Sequence, residues 1–568
     1  MMSGSPTPAR RRIFRGLRDQ LPHLGQAGSR SAQLHVDSGL PTPTSGVEPL
    51  DAAHRLRLSL AMTIGVLGSV LIAIGGLGAG AFPVVHNPYW DVPGVSLLAR
   101  MLHSTSVAVF IGVGCLVVGW LLLARFCTPG RFRRARYIPT RTTWRIFVLW
   151  VVPFAITPPL FTQDIYSYLA QGSIAARGWD PYSAGPVDLL GIDDPLARSV
   201  PLMWAHSPAP YGPVALGYGQ IISWVTGDSI LWGILAHRIV AVLGLALTGW
   251  ALVRLAQRCG VPPVSALWLG MLNPLAILHL IGGIHNEALM LGLLLAGMEL
   301  VLRGVDELER PRVSRWLLVV AGFALITCAG LVKVTALIGL GFAGVALARW
   351  WGGRWVDLLR AAGVAVVVFV ATATSLSLLT GVGMGWIRSQ GGAADIVSWM
   401  SISTTSGLAS ALLGSWLGLG DHRDAALALF RGLGLAVGAF WLLRMLWAAF
   451  KGRIHPMGAL GIATLMLVIF FPVVHPWYLL WAILPLAAWA NRRGFHLATV
   501  GYSVAFSFFI LPRGLGLPPS TVLYIYFMSA AIFALLILAA WRFAKNQPLL
   551  QEAIRSETFQ RTKLRIRD

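Results

Sequence analysis

Charge is scarce in this chain. Of its 568 residues only 12% are charged while 56% are hydrophobic, and the mean hydropathy is +0.69. So few charges exclude an ordinary soluble domain. Acids are the scarcer sign, 23 Asp and Glu against 45 Lys and Arg, for a net charge of +22. That excess alone would suit nucleic acid, but its distribution points away from it. Residues 1–58 hold eight Arg against four acids, RFCTPGRFRRARYIPTRTTWR (125–145) holds seven Arg and no acid, and 542–568 holds seven Lys or Arg. These blocks flank apolar runs and read as inner loops facing anionic lipid. Cysteine is nearly absent. Cys115, Cys127, Cys259 and Cys328 are split between apolar runs and basic segments, with neither a disulfide framework nor zinc spacing. Missing too are a G-x-x-x-x-G-K-[ST] phosphate loop, a G-x-S-x-G elbow and an internal repeat. The first 57 residues, polar and rich in Arg, Pro, Gly and Ser, lack an apolar core followed by a small-residue cleavage site and are expected to form a cytoplasmic tail.

What the chain does have is apolar runs near the length of a bilayer crossing. These predict an all-α polytopic membrane protein with about fourteen spans, at 59–81, 104–124, 146–161, 231–256, 263–282, 287–303, 316–332, 334–349, 358–379, 424–448, 457–474, 477–490, 495–511 and 519–542. With the N-terminus inside, the Arg blocks fall inside and the even count returns the 544–568 tail to the cytoplasm. This holds only if 213–226 does not span, so that piece, like 405–419, is read as interfacial or re-entrant. Residues 58–543 thus form one transmembrane domain with two long outer loops, 161–230 and 380–423. The first loop carries five Asp and only two Arg over 161–212, and its Trp179, Tyr182, Trp204 and Tyr211 stand among turn dipeptides that suggest a built surface.

Four groups of residues carry candidate chemistry. In FTQDIYSYLAQG (161–172), Pro158 and Pro159 should end the incoming helix and Thr162 should cap a new one. Asp164 then lies in its first turn, sharing a face with Tyr168 and Gln171, and the helix dipole favours the ionised carboxylate. Asp164 reads either as a helix-start residue or as a proton acceptor; its place at the hydrocarbon boundary favours function. Tyr166, Tyr168 and Gln171 are candidates for shaping an acceptor site, with Trp179, Tyr182 and Tyr211 of the loop. In GGIHNEALM (282–290), His285, Asn286 and Glu287 form either a polar turn or a cluster able to bond sugar hydroxyls. Asp193–Asp194 reads as a solvated turn. Arg238, Lys333, Arg388 and Arg513 lie outside against the positive-inside trend, and either hold a lipid-linked phosphate or pair and snorkel locally. In FPVVHPWYLLW (471–481), His475, Trp477 and Tyr478 belong either to an interfacial aromatic belt or to a platform for pyranose rings. No metal-ligand pattern stands out.

Taken in order, FTQDIYSYLAQG, DPYSAGP (180–186), PAPYGP (208–213), CGVPPVSALWLGMLNPL (259–275), GIHNEALMLGL (283–293), GLGDH (418–422) and HPWYLLWAILPLAAWA (475–490) resemble the actinobacterial polyprenol-phosphomannose-dependent α-1,6-mannosyltransferases of the MptB type, within the GT-C glycosyltransferase superfamily. His475 departs from the pattern, which has Gln before PWYLLW. The resemblance implies a GT-C-like bundle in the plasma membrane with its active site on the outer face. It also implies a polyprenyl-phosphate mannose donor, a mannosylated phosphatidylinositol acceptor, and a product in the α-1,6-mannan core of lipomannan and lipoarabinomannan. It puts the catalytic carboxylate on Asp164 and an outer hairpin on His285, Asn286 and Glu287. A β-linked donor and an α-linked product imply inversion by single displacement, which needs one base, no cofactor and no metal. The alternative from another class is a lipid-linked sugar flippase, which would place its polar groups near mid-membrane and show repeats. Here the polar groups gather at one rim.

Overall fold

The structure is a computed structural model that describes residues 50–546 except 84, 86, 129–136, 308, 310, 390–395 and 515. Most of both expected tails and part of the 125–145 Arg block therefore lie outside the described residues. Among the described residues the regular elements are helices and no β-strand forms. Eight helices are long and apolar enough to cross a membrane: Ala52–Ala79, Leu102–Cys127, Ile230–Arg258, Glu287–Asp306, Arg312–Val332, Trp355–Thr380, Arg423–Phe450 and Pro519–Lys545. All eight match predicted spans. The other six of the predicted fourteen are shorter or broken, against the ~20 residues a crossing needs.

The reasons for the breaks are local. The span expected at 146–161 is the helix Thr140–Val151, tightening into a 3-10 turn Val152–Ile156 and ending before Pro158 and Pro159. The span expected at 263–282 is interrupted at Asn273–Pro274. It consists of the helix Pro263–Leu269 and a π-helical turn Ala276–Gly282, and the Asn273 amide donates to the Leu269 carbonyl at 2.9 Å where the helix lapses. The pieces Pro213–Thr226 and Ile402–Trp416 are helices of 14 and 15 residues, below spanning length, as the charge argument required.

Helix pairs approach closely where glycines meet. A Cβ on Gly68 would lie 2.6 Å from the Gly112 carbonyl, and one on Gly112 equally close to the Gly68 carbonyl, at the crossing of the first two long helices. Gly297 and Gly322 do the same for Glu287–Asp306 and Arg312–Val332, and between Ile230–Arg258 and Glu287–Asp306 a Cβ on Gly292 would meet the Gly244 carbonyl and one on Gly244 the Ala288 backbone. Lipid gives helices no hydrophobic incentive to associate, so close backbone packing through small residues supplies it. The broken helix is pinned to Leu102–Cys127 by Trp120 and Trp268, which stack at 4.9 Å and each donate an indole N–H to the other's carbonyl at 2.8 Å. At the end of Glu287–Asp306 away from Glu287, the buried Glu299 carboxylate bridges Arg258 and Arg303.

The segment between the Ala52–Ala79/Leu102–Cys127 pair and Ile230–Arg258 centres on the helix Asp164–Ala176, which lies against Pro213–Thr226. Their contact is Gly172 on Gly219, where a Cβ on Gly172 would meet the Gly219 carbonyl carbon and oxygen at 2.7 Å. Replacing Gly172 by Val should force these helices apart and cost about 1–3 kcal/mol. Thermal unfolding of the purified protein in detergent checks this; a wild-type melting temperature would show that the crossing has slack.

Candidate functional site

The site forms where two irregular segments meet. Leu160 donates its N–H to the Gly282 carbonyl at 3.0 Å, tying the strap before Asp164 to the hairpin that bears His285. Of the three described non-glycine residues in the left-handed region, two lie here, Phe161 (φ 68°) and Ile284 (φ 57°), each a short step ahead of a candidate residue. Such positions cost roughly 1–3 kcal/mol each and persist only where the surroundings impose them. The Phe161 N–H is held by the Pro512 carbonyl at 2.7 Å, and the Thr162 hydroxyl accepts the Asp164 N–H at 3.2 Å. Asp164 thus opens its helix, as the sequence predicts.

The Asp164 side chain keeps 27% of its exposure. Its Oδ1 accepts the Trp204 indole N–H at 3.1 Å, and its Oδ2 faces His285 Nε2 at 3.6 Å. Burial alone would raise its pKa; the His285 ring, the more distant His475 and the Trp204 N–H outweigh that and bring it down to about 2. Asp164 is therefore ionised through the physiological range. His285 is buried, and its Nδ1–H donates to the His279 carbonyl at 2.8 Å.

Beside this pair lies a second one. Glu287 Oε1 accepts from Lys333 Nζ at 2.6 Å and from the Trp477 indole N–H at 3.3 Å. Lys333 caps the end of Arg312–Val332, donates to the Tyr478 hydroxyl at 3.2 Å, and sits over the Tyr478 and Trp481 rings at 4.6 and 5.4 Å. Burial opposes the charge on Lys333, and the Glu287 carboxylate overrides burial and raises its pKa. Two of its three donors are spent, and the side chain remains 22% exposed. Trp477 joins the halves, with its ring 4.0 Å from that of His285.

Asp164, His285, Asn286, Glu287, Lys333, His475, Trp477 and Tyr478 are thus brought together, with Tyr168 and Tyr211 in edge-on contact nearby at 5.3 Å. Tyr218 donates to the Asn286 amide oxygen. Tyr182 supports Tyr211, donating to its carbonyl at 3.0 Å. Arg513 is half-buried, on the turn against Phe161 and Thr162, and Arg388 is exposed at the end of a short turn in the second loop.

Other sequence candidates have different uses. Arg238 is buried, its guanidinium directed at the carbonyls of Thr157 (2.6 Å), Pro158 (3.3 Å) and Ile281 (3.4 Å), so its donors brace the strap and the hairpin. Tyr166 is fully buried and donates to the Ala81 carbonyl at 2.7 Å, anchoring its helix rather than facing the cleft. Gln171 is buried two turns below Asp164. Trp179 lies beyond the far end of that 13-residue helix, about 20 Å along its axis. Trp477 is flanked by His475 at 4.6 Å and 7° and by His279 at 5.1 Å and 30°, so neither face is open to a pyranose. Asp193 and Asp194 pair with Arg198 and Arg177, as a surface turn would.

Three participants are not among the sequence candidates: Trp204, Tyr218 and His279. Trp204 was visible only as one aromatic of the loop, and His279 lies inside the apolar run ILHLI with no polar neighbour to mark it. Among the described residues no three His, Cys, Asp or Glu side chains are placed to hold a metal ion.

Two family models match the chain: alpha-(1->6)-mannopyranosyltransferase, N-terminal domain, over residues 62–349, and MptB C-terminal domain over residues 403–538. The chain is 50% identical to alpha-(1->6)-mannopyranosyltransferase B of Corynebacterium glutamicum, covering 95% of this chain and 94% of that protein. It is 42% identical to a probable alpha-(1->6)-mannopyranosyltransferase of Mycolicibacterium smegmatis (81% and 84% covered). It is 34% identical to alpha-(1->6)-mannopyranosyltransferase A of Mycobacterium tuberculosis (79% and 84% covered).

The Glu287–Lys333 pair makes a stability prediction. Lys333→Met should destabilise the protein by about 3–5 kcal/mol, because it strands a buried carboxylate. The double variant Glu287→Gln/Lys333→Met should recover most of the loss. Unfolding of the two variants and the wild-type protein in one detergent tests this; a double variant no better than the single one would remove the coupling.

Proposed function

Because the chain belongs to the alpha-(1->6)-mannopyranosyltransferase family, as an MptB-type membrane glycosyltransferase, we propose that Asp164 is the base of an inverting mannosyl transfer from a polyprenyl-phosphate donor. The acceptor is a lipid-linked mannan on a mannosylated phosphatidylinositol, and the bond formed is α-1,6, extending the lipomannan and lipoarabinomannan core. The cleft opens on the outer face of the plasma membrane and both chain ends are cytoplasmic.

The observation that carries this reading is the Asp164 carboxylate. It is ionised and partly exposed, with one oxygen fixed by Trp204 and the other beside His285. A carboxylate held in this way can accept a hydrogen bond from an acceptor hydroxyl and aim its oxygen at the anomeric carbon. The donor's phosphate leaves with the bonding electron pair and needs no proton. The third N–H of Lys333, with Arg513 and Arg388 from the neighbouring turns, offers cations for the charge that grows on it. Arg238 is left out of this role because its donors already meet backbone carbonyls. The acceptor sugar meets the edges of Tyr168, Tyr211 and His475 and the Asn286 amide, not the faces of Trp477. This scheme calls for no metal or cofactor.

Asp164→Asn keeps the shape and the Trp204 contact but removes the base. It should lower mannose transfer by about 10²–10⁴-fold while the lipid donor still binds. Radiolabelled mannose transfer by the purified protein in detergent measures the first and donor titration the second. Near-normal turnover would sink the assignment, and product formation without a membrane to cross separates a transferase from a flippase.

A further inference from the structure

His285 is the best-buried titratable group beside the reacting carboxylate, and its environment fixes which nitrogen does what. The Nδ1–H is committed to the His279 carbonyl at 2.8 Å, which orients the ring and leaves Nε2 as the nitrogen with the lone pair. Space for that bond depends on Gly283. A Cβ there would lie 2.6 Å from the His279 carbonyl oxygen and 2.9 Å from His285 Nδ1. Nε2 is buried, has no hydrogen-bond partner, and points at Asp164 Oδ2. The separation of 3.6 Å is longer than a hydrogen bond, close enough for one to form with a small side-chain movement.

The groups around the ring are Asp164 from the helix it opens, His279 from the π-helical turn (ring centroids 6.4 Å apart), and Trp477 and His475 from the segment after residue 474. Glu287 and Lys333 lie one layer behind and neutralise each other. Burial pushes His475 down to about 4, so it is a neutral ring at physiological pH. Asp164 is therefore the one net charge directly facing His285.

We propose that the proton removed from the acceptor hydroxyl comes to rest on His285 Nε2, with Asp164 as the carboxylate that receives it from the hydroxyl and hands it on. The step balances. The acceptor O–H bond breaks and its oxygen forms the bond to the anomeric carbon. The bond from that carbon to the phosphate oxygen breaks, its electron pair leaving with the polyprenyl phosphate. The neutral imidazole becomes a cation as the phosphate goes from a singly charged diester to a doubly charged monoester, so the net charge of the site is unchanged. A carboxylate is a weaker base in water than an imidazole, so between two such groups the proton settles on the ring. Asp164 alone, by contrast, would have to pass the proton to water within the turnover. The inference rests on Asp164 being the carboxylate that meets the acceptor.

The test is the pH profile of mannose transfer by the full-length protein in detergent, from polyprenyl-phosphate mannose to a synthetic mannolipid. His285→Gln should lower kcat by about 100-fold with the donor KM within about threefold, and should lose the wild-type fall in rate on the acid side. Added imidazole should restore part of the rate of His285→Ala, which a merely structural loss would not allow. A kcat for His285→Gln within about threefold of wild type, with the same acid limb, overturns the proposal. If the variants do not fold, the wild-type profile decides. A proton kept on Asp164 predicts a level rate down to about pH 4, and such a profile overturns the proposal; a fall well above that supports it. An active Asp164→Asn would defeat the underlying transferase reading, whereas an inactive Asp164→Asn with unchanged His285→Gln defeats only this inference.

Discussion

A carboxylate carried into the mouth of an apolar helix bundle has to find a cation there, and Glu287 finds Lys333. The two residues lie at the adjoining ends of antiparallel helices, Glu287 at the start of Glu287–Asp306 and Lys333 just past Arg312–Val332. Gly297 and Gly322 let those helices approach closely enough for the ends to meet. The same carboxylate oxygen takes the Trp477 N–H, and the same ammonium rests on Tyr478 and Trp481. One ion pair thereby fixes the HPWYLLW segment, and through Trp477 the ring of His285. Taking the pair's two charges out of water is costly, and it is the geometry they enforce, more than the pair's net energy, that the cleft depends on.

Irregular backbone in such a bundle creates a second demand, because carbonyls that leave a helix in low dielectric need donors. The strap 157–163 and the hairpin 281–286 are both irregular. Arg238 serves Thr157, Pro158 and Ile281 from one guanidinium, and Gln163 donates to the Phe82 carbonyl at 2.6 Å. The extended 471–474 segment is met by hydroxyls of residues 398–404: Ser398 on Val474, Ser401 on Phe471 and Thr404 on Pro472, at 2.6–2.7 Å. An arginine at mid-chain and a serine-threonine run thus do for broken helices what a regular ladder does elsewhere. Rigid supports of this kind allow Phe161 and Ile284 to stay in left-handed conformations next to the residues they aim.

What was legible in the sequence follows from this division. Helix starts and stops come from local chemistry, so the Pro158–Pro159 break and Asp164 in the first turn could be read directly; the N-cap itself is Gln163, one residue after the expected Thr162, whose hydroxyl still accepts the Asp164 N–H. The helix Pro213–Thr226, expected not to span, is 14 residues long, shorter than the ~20 a crossing needs. The hairpin's His285–Asn286–Glu287 stood out as polar residues between apolar runs. The interruption at Asn273–Pro274 was not read, although a proline there offered the signal; apolar composition continues across it and hides the change from helix to π-turn. Long-range partners were also hidden. Arg238 looked like a free outer cation because its three carbonyl acceptors are about eighty residues before it and about forty after it. Trp204 and Asp164 are 40 residues apart, and nothing in the loop's spacing announces that an indole will close on that carboxylate.

The charge balance of the cleft limits how a lipid-linked phosphate can be held. Lys333 is already neutralised by Glu287, and Asp164 adds a negative charge of its own, so the buried part of the site carries a net charge of −1 before any substrate arrives when His285 is neutral. A phosphate brought to this point is repelled unless further cations join it. Arg513 stands on the turn that abuts Phe161 and Thr162, and Arg388 is exposed after the short turn Gly385–Ile387. In the transfer proposed above, donor binding would draw on Arg513 and Arg388 for charge and on Lys333 for direction. Asp164 would then be left to face the acceptor, whose hydroxyl brings no charge and loses only a proton.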